Sequence, residues 1–86
     1  MKIKKELIKR DIAGDTVLVP VGKTVYDANG LFVLNELGSF IWDILPGAAD
    51  EEAIVSAVLA EYDVDEDTAR RDIAEFMGRL REMDMI

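Results

Sequence analysis

Chemistry in this 86-residue chain has to be done without histidine or cysteine, because it contains neither. That removes the commonest general base, the thiolate nucleophile and the usual ligands of a structural zinc site. What remains in quantity is carboxylate: 18 Asp and Glu stand against 10 Lys and Arg. Adjacent acids at Glu51-Glu52 and Asp65-Glu66-Asp67 have the residue type for acid and base work, yet both groups fall where the N-terminal dipole of a helix attracts negative charge anyway. They are expected to be structural. The run Asp63-Val64-Asp65-Glu66-Asp67 does not make a calcium loop of the EF-hand kind, lacking Gly at the sixth position and Glu at the twelfth. Ser39 could in principle bear a phosphopantetheine arm, as in small acidic carrier proteins. Those proteins look like Asp-Ser-Leu at the attachment point and are helical from their start, whereas Ser39 follows Gly38 inside a helix preceded by strands. No catalytic residue, metal site or cofactor is therefore expected.

The formal charge of −8 repels phosphate backbones and anionic lipid, so neither nucleic acid nor membrane is an expected partner. At this length one domain over residues 1–86 is expected, since chains divide into separate cores only when much longer. The basic start Met1-Lys2-Ile3-Lys4-Lys5 is followed by Glu6, Lys9, Arg10 and Asp11, which interrupt any apolar run and leave neither a signal peptide nor a membrane span. Together with the absence of cysteine this points to the cytoplasm.

Charge and hydrophobic period both change partway along the chain. Residues 1–45 hold six basic and six acidic side chains, and residues 46–86 hold four and twelve. Short β-branched runs before Asn35 give way to three-and-four spacing after it, which predicts strands first and helices afterwards. Leu7 to Ile12 and Thr16 to Val21 read as strands joined by Ala13-Gly14-Asp15 in a hairpin. Pro20 belongs at a strand end and Asn29-Gly30 at a turn. Leu31-Phe32-Val33-Leu34 has no polar alternation, so this third strand is either buried on both faces or keeps one face for a partner.

Asn35 is a fitting cap for a helix with Leu37, Phe40, Ile41, Ile44 and Leu45 as its apolar stripe, stopped at Pro46-Gly47. Trp42 lies off that stripe, and is expected either to pack partly against the loop from Gly22 to Asn29 or to stand at an interface. Asp50 caps a second helix that turns Ile54, Ala57, Val58 and Tyr62 inward and ends near Tyr62. A third runs from about Asp65 to about Met83, with Ala69, Ile73, Phe76, Leu80 and Met83 inward. The expected fold class is α+β: a winged-helix-like order in which a three-stranded antiparallel sheet is followed by three helices.

Winged helices normally bind DNA through a basic recognition helix, and the third helix does carry Arg70, Arg71, Arg79 and Arg81. A DNA-binding or transcription-regulating domain is therefore the alternative reading, disfavoured by the acidic balance. Nearly the whole chain, in the segments Gly30-Leu31-Phe32-Val33-Leu34-Asn35, Ile41-Trp42-Asp43-Ile44-Leu45, Glu61-Tyr62-Asp63-Val64 and Asp72 through Leu80, resembles the PqqD-like family. Pro46-Gly47-Ala48-Ala49 departs from it, since the family often has a more polar turn there. The resemblance implies a non-enzymatic recognition element for ribosomally synthesised and post-translationally modified peptides. In that family the leader segment of a precursor peptide adds as a strand to the third strand and lies against the third helix, while a partner enzyme, often a radical S-adenosylmethionine enzyme, modifies the core segment. The peptide-contacting strand would here be Leu31, Phe32, Val33 and Leu34. An uninterrupted apolar strand at an open edge is a liability unless it is covered or used, and strand addition uses it.

Specificity would then fall to one flank of the third helix. Arg70, Ala74, Met77 and Arg81 form one flank, and Asp72, Arg79 and Met83 the other. The first is the expected peptide face, because small Ala74 leaves room for a side chain, Met77 adapts its shape, and the two arginines can pair with peptide carboxylates.

Overall fold

The computed structural model describes residues 1–21 and 32–86. Among the described residues three strands, β1 (Leu7–Ile12), β2 (Asp15–Pro20) and β3 (Phe32–Leu34), precede three helices, α1 (Glu36–Ile44), α2 (Glu51–Glu61) and α3 (Glu66–Glu82), with a 3₁₀ turn at Leu45–Gly47 after α1. The strands form one antiparallel sheet in the order β1-β2-β3. This is the expected α+β order. The expected turn at Asn29-Gly30, the loop from Gly22 to Asn29 and the first residue of the third strand, Leu31, lie outside the described residues.

The hairpin is tighter than its sequence implied, because Asp15 belongs to β2 and pairs with Ile12. Only Ala13 and Gly14 remain in the connection, with φ values of 52° and 87°. Positive φ at both central residues is the type I′ geometry, whose twist matches that of the flanking strands. In β2 the successive side chains Val17 and Leu18 are both buried. Leu18 joins the core beneath the helices, so Val17 points to the opposite face.

Each helix starts on the side chain that its sequence offers. Asn35 Oδ1 accepts from the Gly38 N–H at 2.7 Å, Asp50 Oδ1 from Ala53 at 2.9 Å and Asp65 Oδ2 from Thr68 at 3.2 Å. Such caps satisfy donors that a helix leaves unpaired at its first turn. At the far end of α3 the chain passes through Asp84 at φ 57°. Met85 then turns back, its N–H bonding Leu80 O at 2.8 Å and its carbonyl accepting from Lys4 at 2.7 Å. The segment before β1 is thereby tied to the end of α3, with Met1 and Ile3 packed at the margin of the core.

The buried face of α1 differs from the stripe read in the sequence. Gly38, Ile41 and Trp42 are buried within the helix, and Leu45 just beyond it, while Leu37, Phe40 and Ile44 are half-buried. Trp42 is thus a core residue at 7% exposure. The reason is Gly38. A β-carbon there would stand 3.1 Å from Phe76 Cε1 and 3.1 Å from Asn35 Oδ1, so the bare backbone is what allows α3 to approach, and the helix turns its glycine side inward. Phe40, rotated outward, meets the Tyr62 ring edge-on at 5.4 Å. In α2, Val55 joins Ile54 and Val58 in the core, and in α3 Met77 joins Ala69, Ile73, Phe76 and Leu80.

Gly38→Val places a branched side chain against the Phe76 ring and the Asn35 cap. It should cost about 1–3 kcal/mol by overpacking, read as a lower midpoint in urea unfolding with an unchanged slope.

Candidate functional site

β3 is the edge of the sheet, and its three residues alternate in burial. Phe32 and Leu34 are buried at 4% and 5%, while Val33 is 54% exposed. The second of the two expectations for this strand therefore describes it: one face is open. Its inner edge pairs with β2 through Thr16↔Leu34, Val17↔Val33 and Leu18↔Phe32. Among the described residues nothing pairs with its outer edge. Edge strands carry unmet backbone donors and acceptors, which makes such an edge a template for a further strand.

A groove of about 580 Å³ runs between this strand and α3. Its apolar lining comes from Leu34, Leu37, Ile41 and Phe76, and its polar rim from Asp15, Asp72, Glu75 and Arg79. Two ring contacts hold the α3 wall to the strand. Phe76 meets Phe32 edge-on with centroids 6.1 Å apart, and the Arg79 guanidinium carbon lies 4.6 Å from the centre of the Phe32 ring. The positive edge of one ring on the negative face of another, and a cation over a ring face, are both electrostatically favourable. A smaller cavity of about 260 Å³ shares Asn35, Leu37 and Asp72 with the groove and extends it toward Val58, Tyr62 and Val64.

The structure separates the residues expected to act together. Phe32 and Leu34 turn their side chains into the protein, so only their backbones stand at the edge, and Val33 is the one residue of β3 exposed at its side chain. Leu31 lies outside the described residues. On α3, Met77 is fully buried and presents no surface. Arg70 bonds Glu52 at 2.6 Å and Glu66 at 3.2 Å, and Arg81 lies 3.5 Å from Glu51, so these arginines face α2. Ala74 is exposed on the outer side of the same flank, at about 100° per residue. The wall of the groove is the opposite flank, with Asp72, Glu75 and Arg79. Helical periodicity put Asp72 and Arg79 on a flank apart from Arg70, Ala74 and Arg81, but it placed Met77 on a flank where the structure buries it in the core, and it contains no information on which flank meets β3.

Most of the acidic residues that drew attention as possible chemistry have structural partners. Asp50 and Asp65 are caps, while Glu52 and Glu66 hold Arg70. The hydrogen bond and charge of Arg70 keep the Glu52 carboxyl below its ordinary range, and Lys4 does the same for Asp84. Burial raises the Tyr62 phenol, helped by Glu36 and Glu61. The Ser39 hydroxyl accepts from Lys9 Nζ at 2.9 Å, and that ammonium also pairs with Asp43 at 2.6 Å. Among the described residues no group of acids is placed to hold a metal ion, and no helix is long and apolar enough to cross a membrane.

Fold and site together define a small α+β domain that offers an open strand edge beside the flank of a long helix. The family model described as Coenzyme PQQ synthesis protein D (PqqD) matches residues 15–86. The chain belongs to the PqqD family. Among solved structures it is similar to TbiB1, determined in complex with the TbiA(β) leader peptide, at 33% identity and a TM-score of 0.73, over 99% of this chain and 93% of that one. A search of curated proteins gives no match.

The Arg70 pair has a signature in pH. Because the folded-state value of Glu52 is depressed, its contribution to stability is full above the ordinary carboxylate range and is lost as pH falls through the folded value. In Arg70→Gln the Glu52 carboxyl should titrate at higher pH than in the parent, followed by side-chain NMR. Any gap in melting temperature between the two proteins should close on acidification.

Proposed function

We propose that this chain is a leader-peptide-binding module, which captures an extended segment of a precursor peptide and presents the remainder to a separate modifying enzyme. The observation that carries this reading is the open edge of β3 beside a groove with an apolar lining, in a chain similar to a protein solved with a leader peptide. The peptide adds as a strand to the outer edge of β3. Main-chain hydrogen bonds supply the grip and alternate side chains supply the choice. The peptide lies against the flank of α3 that carries Asp72, Glu75 and Arg79, while Arg70 and Arg81 hold α2 in place. The module binds and does not catalyse. Its partner is a maturation enzyme, of the radical S-adenosylmethionine type often paired with this family, and the two meet in the cytoplasm.

Binding rests on backbone donors and acceptors of β3, so removing one should weaken it without abolishing it. Peptides of about 12 residues, long enough to exceed a typical strand, are selected from a displayed random library on the immobilised full chain. Val33→Pro, with the fold confirmed by circular dichroism, should bind the selected peptides about two- to tenfold more weakly, as expected for one hydrogen bond of about 0.5–1.5 kcal/mol. Ala74→Trp, on the flank facing α2, should leave affinity within about twofold, as a surface change remote from the contact. A folded Val33→Pro protein with parental affinity, beside an Ala74→Trp protein that has lost binding, would move the peptide to the other side of α3.

A further inference from the structure

The cations and anions of α3 are not spread evenly around it. Arg70 and Arg81 are engaged with Glu52, Glu66 and Glu51, on the side toward α2 and in the first turn. Arg79, the one cation on the groove rim, is stacked over Phe32 at 4.6 Å. The rim otherwise carries the carboxylates of Asp15, Asp72 and Glu75, three against a single guanidinium. Among the described residues Asp72 has only Arg71 as an ion-pair partner, at 3.9 Å, with the Arg71 side chain 69% exposed and that of Asp72 44% exposed. Glu75 has no hydrogen-bond or ion-pair partner among the described residues. Asp72 and Glu75 are three positions apart on one helix, which makes their side chains neighbours on the same face. An anionic pair therefore faces the strand edge across an apolar floor.

Resting on the reading of this groove as a peptide site, we propose that Asp72 and Glu75 set its specificity, selecting an extended peptide that turns a lysine or arginine toward α3. Every second side chain of an added strand faces the helix. A cation at one of those positions lies between the two carboxylates, while its neighbours along that face rest on Phe76 and Leu37. A peptide with an acidic residue there meets like charge and is rejected, so the pair acts by repulsion as well as attraction. The contact is only half-shielded from water, so it discriminates between peptides more than it adds affinity.

The same displayed library tests this on the immobilised full chain. Peptides enriched on the parent should share one aligned position held by Lys or Arg. The double variant Asp72→Lys/Glu75→Lys should bind those peptides about tenfold more weakly and should itself enrich Asp or Glu at that position. Glu61→Lys/Asp63→Lys applies the same change in net charge at exposed residues outside the groove, and should keep the parental preference. Inversion of the preference by this remote pair would overturn the proposal in favour of whole-molecule charge. Enriched peptides that are lost with Val33→Pro but show no cationic position would overturn the proposal and leave the binding site standing. Enriched peptides insensitive to both Val33→Pro and the Lys pair would overturn both.

Discussion

The contact on which the arrangement depends is the meeting of Phe76 with the bare backbone at Gly38 and the ring of Phe32. There α3, α1 and β3 come together closely: a β-carbon on Gly38 would sit 3.1 Å from Phe76, so the ring would have to give way by a few tenths of an ångström to admit it. A three-residue strand has little hydrogen bonding of its own to hold it. What fixes β3 is the burial of Phe32 and Leu34 beneath the helices, with Phe76 and Arg79 covering the Phe32 ring from α3. Core packing thus supplies the rigidity while the outer backbone edge is free to be used. A site on a rigid element is more precise than one on a loop.

The charge of the molecule follows a similar division. Eight excess negative charges would be a diffuse liability if evenly spread, but much of the acid is used locally. Caps take Asp50 and Asp65, and ion pairs across α2 and α3 take Glu51, Glu52 and Glu66. Each exposed pair is worth little by itself. They neutralise Arg70 and Arg81 on the α2 side of α3, so the carboxylates on the other side define the electrostatic character of the groove.

The chain belongs to the PqqD family, presents an open strand edge among its described residues and contains neither histidine nor cysteine. Recognition by strand addition needs backbone, a shaped wall and a charge pattern, and these can be built from aliphatic, aromatic and carboxylate side chains alone.

Much of this was legible in the sequence because it depends on neighbours along the chain. Asn35, Asp50 and Asp65 are caps because their side chains reach a backbone N–H three residues on, and the switch from β-branched runs to three-and-four spacing separates sheet from helices. The apolar run ending in Leu34 marked the strand with an open face. Other features were decided only by tertiary structure. Periodicity put Leu37, Phe40 and Ile44 in the buried stripe of α1 beside Ile41 and Leu45; the last two are buried, but the close approach of Phe76 turned Gly38 and Trp42 inward in place of the other three. A hydrophobicity pattern assigns no value to the space left by a glycine. In the same way, an ideal helix shows two flanks for α3 and nothing in its own sequence tells them apart. The choice was made by packing between residues distant in the chain: Phe32 and Gly38 receive Phe76 and Arg79 on the sheet side, which leaves Arg70 and Arg81 facing Glu52 and Glu51 of α2.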